Sequence, residues 1–185
     1  MTLIASFGTL LLAAAATAGA TPYRPKQELV NGNELAFVYI GATNCGFCRD
    51  PAVKTAVMQA KSILAARAES EHRPFSATGV ALDFDVDKGL EYLATLGAFD
   101  QVIVGRSWFN AAVLELLTDG SDDAILAVPQ IIVYERSLQL EKTSVSAAPP
   151  RILARIPGTG IPLWVEAGVQ LSGGSPEKTT PATSP

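Results

Sequence analysis

The sequence predicts an α/β fold, because short apolar runs rich in β-branched and aromatic residues alternate with helix-period segments along most of its 185 residues. Two further observations bear on what the fold is for. One apolar run leads straight into Cys45-Gly46-Phe47-Cys48, and another, far along the chain, is headed by Val128-Pro129. The length suits one domain with a targeting segment in front and a polar tail behind. Hydrophobic residues make up 48% and charged ones 17%, enough apolar material for an ordinary core. The net charge is −4 and the basic residues are scattered, which argues against nucleic acid, since phosphate binding needs a concentrated basic footprint.

Residues 3–20 carry no charge, and their apolar centre dilutes into Ala18-Gly19-Ala20, the small-x-small ending that signal peptidase accepts. No Lys or Arg precedes Arg24. Three readings of residues 1–20 stand: a cleaved signal peptide, an uncleaved membrane anchor, or a core helix. The first two place the domain in the periplasm or another extracytoplasmic space, where a reactive dithiol has a use. Residues 21–33, with Pro22 and Pro25, read as a leader, and residues 34–171 as the domain.

Residues 35–40 (Leu-Ala-Phe-Val-Tyr-Ile) have the pattern of a buried strand, broken by Gly41-Ala42-Thr43-Asn44. From Cys45 the spacing turns helical: Val53, Val57, Ala60 and Leu64 recur on one face, and Lys54 and Lys61 mark a solvated one. Pro51 either kinks this helix or reopens it after an Asp50 cap. A second strand is expected over residues 76–85. A helix follows over 88–96, with Leu90, Leu93 and Leu96 on one face, Asp87 as cap and Gly97 as stop. Residues 101–104 suggest a short strand, 108–117 a helix, 131–136 a strand, and 151–156 a further strand paired with it across a loop at 144–150. A terminal helix spans 162–169, and the Ser/Thr/Pro-rich residues 172–185 read as a disordered tail.

A strand that feeds directly into Cys-X-X-Cys at a helix start has a chemical consequence. Unsatisfied N–H groups and a partial positive charge there favour a thiolate on the first cysteine. The two-residue spacer lets the second sulfur reach the first, so Cys45 would attack and Cys48 would resolve a mixed disulfide. The plainer readings are a local structural disulfide or two inert thiols. A zinc site would need two more ligands, and His72, the single histidine, reads as a solvated loop residue. Asp83, Asp85 and Asp87 alternate in a way that could suggest a cation site. Their simpler reading is a strand end turning polar. Trp108 and Phe109 either pack a helix or offer a docking surface.

The strand, Cys45-Gly46-Phe47-Cys48, helix, and distant Val128-Pro129 resemble the thioredoxin-like superfamily over roughly residues 34–169. The resemblance implies a three-layer fold with a central mixed sheet flanked by helices, and a helical insertion within residues 99–127, before a cis-proline at Pro129. It implies that Cys45 is the nucleophile and Cys48 the resolver. It also implies that Val128 and Pro129, with Gly46 and Phe47 of the motif, meet the substrate. Activity would be protein thiol–disulfide exchange needing no cofactor beyond the dithiol. The partners would be cysteine-containing exported proteins and a redox partner protein. The alternative is a redox-poor binding or scaffold module of the cell envelope. Three departures from the family pattern are visible: Tyr39 stands where many members bury a carboxylate, Asn44 where a tryptophan is usual, and Phe47 where proline or histidine is usual.

Overall fold

The computed structural model describes residues 21–26, 30–117 and 126–171 and builds them around a six-stranded mixed sheet. Strand β1 (Gly32–Gly41) is its centre. Leu35, Phe37 and Tyr39 enter one apolar cluster and Ala36, Val38 and Ile40 another, so the continuous apolar run reflects cover on both faces. A 3-10 turn (Phe47–Arg49) and helix α1 (Pro51–Ser70) carry the chain to β2 (Phe75–Ala81), parallel to β1 with Gly41 opposite Ala81. Helix α2 (Val86–Ala94) leads to β3 (Gln101–Val104), parallel to β2. A second 3-10 turn (Ser107–Phe109) and helix α3 (Ala111–Leu116) precede β4 (Gln130–Leu140), antiparallel to β1. Strands β5 (Val145–Ala147) and β6 (Arg151–Pro157) share the outer side of β4, and helix α4 (Gly160–Glu166) follows.

The order across the sheet is β3-β2-β1-β4, with β5 and β6 beyond. Helices α1 and α4 and the α2 region supply Val57, Leu64, Leu93, Leu96, Ile161 and Trp164 to one cluster. Helix α3 supplies Ala112, Val113 and Leu116 to the other, which makes three layers. Two successive right-handed crossovers stepping in one direction put α1 and α2 on the same face. The segment before Pro129 thus holds an edge strand as well as a helix.

Several elements differ from expectation, each for a local reason. Of the two readings of Pro51, reopening after an Asp50 cap is the one found, so the long helix does not begin at Cys45. Asp50 is extended, its carboxylate accepts the Ala52 N–H at 2.8 Å, and α1 opens with Pro51 as its first residue. Lys61 is not solvated but 1% exposed, because the turn after α2 folds over it. Its ammonium donates to the Leu96 and Ala98 carbonyls at 2.8 and 2.6 Å and sits 3.7 Å from the centroid of the Phe99 ring. Strand β2 ends at Ala81, and Asp85 rather than Asp87 caps α2, accepting from the Lys88 N–H at 3.2 Å. The buried stripe there is Gly89, Tyr92, Leu93 and Leu96, leaving Leu90 exposed.

Asn110 splits the helix expected over 108–117 by capping α3 through the Val113 N–H. The loop expected at 144–150 contains β5, and the last helix starts at Gly160 with Pro162 inside its first turn. The leader is docked: the Tyr23 ring meets Phe75 edge-on at 5.2 Å and its hydroxyl donates to Asp100. Residues 1–20 and 172–185 lie outside the described residues. Among those described, no helix is long and apolar enough to cross a membrane.

Candidate redox site

The C-terminal ends of β1 and β2 and the start of β4 meet at one edge of the sheet. There the Leu82 N–H donates to the Gly41 carbonyl at 2.8 Å, extending the β1–β2 pairing by one step. Thr43 then donates both its N–H, at 3.2–3.3 Å, and its hydroxyl to the Asp83 carboxylate. Asp83 therefore pins the loop two residues before Cys45, and nothing in the sequence spacing announces that role.

Cys45 and Cys48 are joined as a disulfide, with their Cα atoms 5.2 Å apart. Cys48 is fully buried and Cys45 half-buried, so an incoming sulfur reaches Cys45 first. The Cys48 N–H points at the Cys45 Sγ at 3.2 Å. Because α1 begins only at Pro51 and a helix terminus acts over about one turn, this backbone N–H is the donor nearest that sulfur. Once the disulfide is reduced, it is placed to stabilise a Cys45 thiolate. Gly46 is exposed with nothing near where a Cβ would stand, and Phe47 is 57% exposed. The spacer is open to a partner.

Across from the disulfide, the Val128 carbonyl oxygen lies 3.5 Å from Cys45 Sγ, and the Val128–Pro129 peptide is cis. Pro129 is buried and its carbonyl accepts from the Gly158 N–H at 2.7 Å. Among the described residues the Val128 N–H has no hydrogen-bond partner. Cys45 and Val128 both pack against the two apolar clusters, which places them over the end of the sheet where the two faces meet.

Beneath the disulfide lies a pair of hydroxyls. Tyr39 is fully buried, and its oxygen is 2.6 Å from that of Tyr92, whose hydroxyl donates to the Cys48 carbonyl at 3.2 Å. A hydroxyl has one proton, so satisfying that carbonyl has Tyr39 donating to Tyr92 and Tyr92 to Cys48. Burial pushes the Tyr92 pKa up to about 12 and raises that of Tyr39 further, so neither ionises near neutral pH. Gly41 makes room for them, because a Cβ there would come within 2.7 Å of both oxygens. Where the resemblance leads one to expect a carboxylate, the chain has neutral donors.

Sequence reasoning missed Tyr92, though it falls on the buried α2 stripe three residues after Gly89 and beside Leu93, and the helical period could have found it. The structure does not bring His72 to the cysteines. It lies in the turn after α1, whose 20 residues span about 30 Å. Trp108 is half-buried against the second cluster while Phe109 is exposed, so the aromatic pair divides between packing and surface. Among the described residues no cluster of three or more His, Cys, Asp or Glu could hold a metal ion. The fold and the Cys45–Cys48 pair are compatible with a redox-active Cys-X-X-Cys site of thioredoxin-like type. No family model, curated protein or solved structure matches the chain.

Proposed function

We propose that the chain is a thiol–disulfide oxidoreductase of thioredoxin-like type, acting outside the cytoplasm on cysteines of exported proteins. Residues 3–20 serve as its signal peptide or anchor. The observation that carries this reading is the half-buried Cys45 bonded to a fully buried Cys48, with a backbone N–H 3.2 Å from the Cys45 sulfur and, alongside, a Val128 N–H that has no partner among the described residues.

In the oxidising direction, a substrate thiolate attacks Cys45 Sγ. The Cys45–Cys48 bond breaks, Cys48 leaves as a thiolate that takes up a proton, and a mixed disulfide forms through Cys45. A second substrate thiolate attacks the substrate sulfur of that bond, releasing Cys45 thiolate and the substrate disulfide. The reducing direction is the reverse, with Cys48 attacking Cys45 to free the substrate. The two electrons reside in the dithiol, so no metal or organic cofactor is required, and a redox partner protein resets the pair. Val128, with Pro129 behind it, receives the backbone of the substrate strand, while Gly46 and Phe47 form the floor beneath it.

Insulin reduction, combined with equilibration in glutathione buffers, tests the proposal. Turnover above the rate of free dithiothreitol and a defined two-electron midpoint are expected. A second reading, a binding module that turns over poorly, is favoured by Tyr39 and Tyr92, which supply no base beside Cys48. Absence of turnover despite a normal midpoint would select it.

A further inference from the structure

The break between the 3-10 turn and α1 leaves one carbonyl without a partner from its own segment. Within the turn, the Arg49 N–H donates to the Gly46 carbonyl and the Asp50 N–H to that of Phe47, both at 3.2 Å. The Cys48 carbonyl comes next, and both of its helical donors are missing. Pro51, three residues on, has no N–H, and the N–H of Ala52, four residues on, goes to the Asp50 carboxylate. Among the described residues the donor to this carbonyl is the Tyr92 hydroxyl, brought in from α2 at 3.2 Å.

Cys48 turns its other backbone group on the reactive partner: its N–H points at the Cys45 Sγ at 3.2 Å. In the oxidised protein the covalent bond between the sulfurs adds a further hold. Once that bond opens, the fully buried Cys48 is fixed through its backbone, the N–H on the Cys45 sulfur and the carbonyl on Tyr92. The hydroxyl is well placed to hold it. Tyr39 lies 2.6 Å away on one side, and Gly89 lets α2 lie close to the sheet, since a Cβ there would stand 3.2 Å from that of Ala81.

Resting on the exchange reading above, we infer that Tyr92 is a positioning residue for Cys45: its hydroxyl holds the Cys48 backbone so that the Cys48 N–H keeps facing the Cys45 sulfur after the disulfide opens. The hydroxyl bonds neither sulfur and acts through Cys48. Its hold counts for more in the dithiol than in the disulfide, where the sulfur–sulfur bond already fixes Cys48. Losing it therefore favours the disulfide and lowers the thiolate share of Cys45. Tyr39 does not share the role, because removing its hydroxyl leaves the bond from Tyr92 to Cys48 in place.

The test follows Cys45 in reduced wild type, Tyr92→Phe and Tyr39→Phe. It measures the rate of iodoacetamide labelling of Cys45 from mildly acidic to alkaline pH, and the equilibrium of each protein with glutathione buffers. The charged groups that act on Tyr92, Lys54 at 5.9 Å over its ring and the Asp83 carboxylate, are present in all three. A hydrogen bond of ordinary net strength is worth roughly two- to tenfold. Tyr92→Phe should slow labelling at mildly acidic pH roughly fivefold, with the alkaline plateau unchanged, and move the glutathione equilibrium roughly fivefold toward the disulfide. Tyr39→Phe should leave both within about twofold of wild type. A Tyr92→Phe profile and equilibrium like those of wild type would overturn the inference. Equal shifts in the two variants would overturn it as well, since a disturbed core would produce them. Should reduced Tyr92→Phe not fold, the double variant, which orphans one group instead of two, takes its place: the same changes support the role and wild-type values refute it. Insulin turnover is read separately. A wild type without turnover sinks the exchange reading, while the labelling profile still decides whether Tyr92 positions Cys48.

Discussion

Replacing Tyr92 with phenylalanine deletes one oxygen from the hydroxyl pair beneath Cys48 while keeping the ring in the core. Two interactions go with it, the 2.6 Å contact with Tyr39 and the 3.2 Å bond to the Cys48 carbonyl. The Tyr39 hydroxyl, on a residue with no exposed surface, is left with no acceptor, and the carbonyl loses its donor. A buried polar group left unpaired costs about 1–3 kcal/mol, so Tyr92→Phe should destabilise the oxidised protein by roughly 2–4 kcal/mol. Tyr39→Phe is milder, about 1–2 kcal/mol, because Tyr92 keeps its bond to Cys48 and loses only an incoming donor. The double variant removes both hydroxyls and leaves one orphan instead of two. Its cost should therefore fall short of the sum of the singles by about 1 kcal/mol or more. Urea unfolding of the oxidised proteins at fixed pH, with unchanged slopes, measures all four corners of the cycle. Additive costs, or a Tyr92→Phe effect below about 0.5 kcal/mol, would refute a coupled donor chain ending on Cys48.

Two further outcomes follow from charged groups away from the sulfurs. Lys61 has its pKa lowered by burial from 10.5 to about 8, so between those values the unfolded chain binds more protons than the folded one. Folding stability should accordingly rise with pH across that window by on the order of 3 kcal/mol, with the penalty full below about 8. In Lys61→Met the rise should vanish, and a wild-type profile flat from pH 8 to 10.5 would contradict the assignment. Asp83→Ala frees the Thr43 N–H and hydroxyl, and should cost roughly 1–2 kcal/mol. It should also speed amide exchange at Thr43 selectively. Unchanged protection there would show that Asp83 does not hold the loop.

The layered α/β architecture was legible because burial on both faces writes itself into β1 as six consecutive apolar residues, and because Val53, Val57, Ala60 and Leu64 keep the helical period. The cysteine pair was legible for a different reason: strand, Cys-X-X-Cys and a proline-headed strand are local patterns in the chain. What stayed hidden depends on tertiary position. Lys61 has the composition of a surface residue and is buried only because the turn at Gly97 folds over it. Asp83, two residues past a strand, becomes an anchor only where β1 and β2 end side by side. The hydroxyl pair needs Tyr39 and Tyr92, 53 positions apart, to meet over a glycine. The start of α2 was misplaced because Asp85 took the capping role expected of Asp87, whereas at α1 the Asp50 cap with Pro51 after it was one of the two readings the sequence left open.

Exchange through Cys45 is tested most directly by replacing its buried partner. Cys48→Ser keeps the half-buried Cys45 thiol and the loop that holds it but removes the thiol that would clear a mixed disulfide. Isolated from cells and run on a non-reducing gel, this variant should carry dithiothreitol-sensitive adducts with other proteins. Those adducts should disappear when Cys45 is also changed to Ser. A Cys48→Ser protein that migrates only as a monomer, and whose Cys45 reacts with an alkylating agent no faster than free cysteine at mildly acidic pH, would contradict the account.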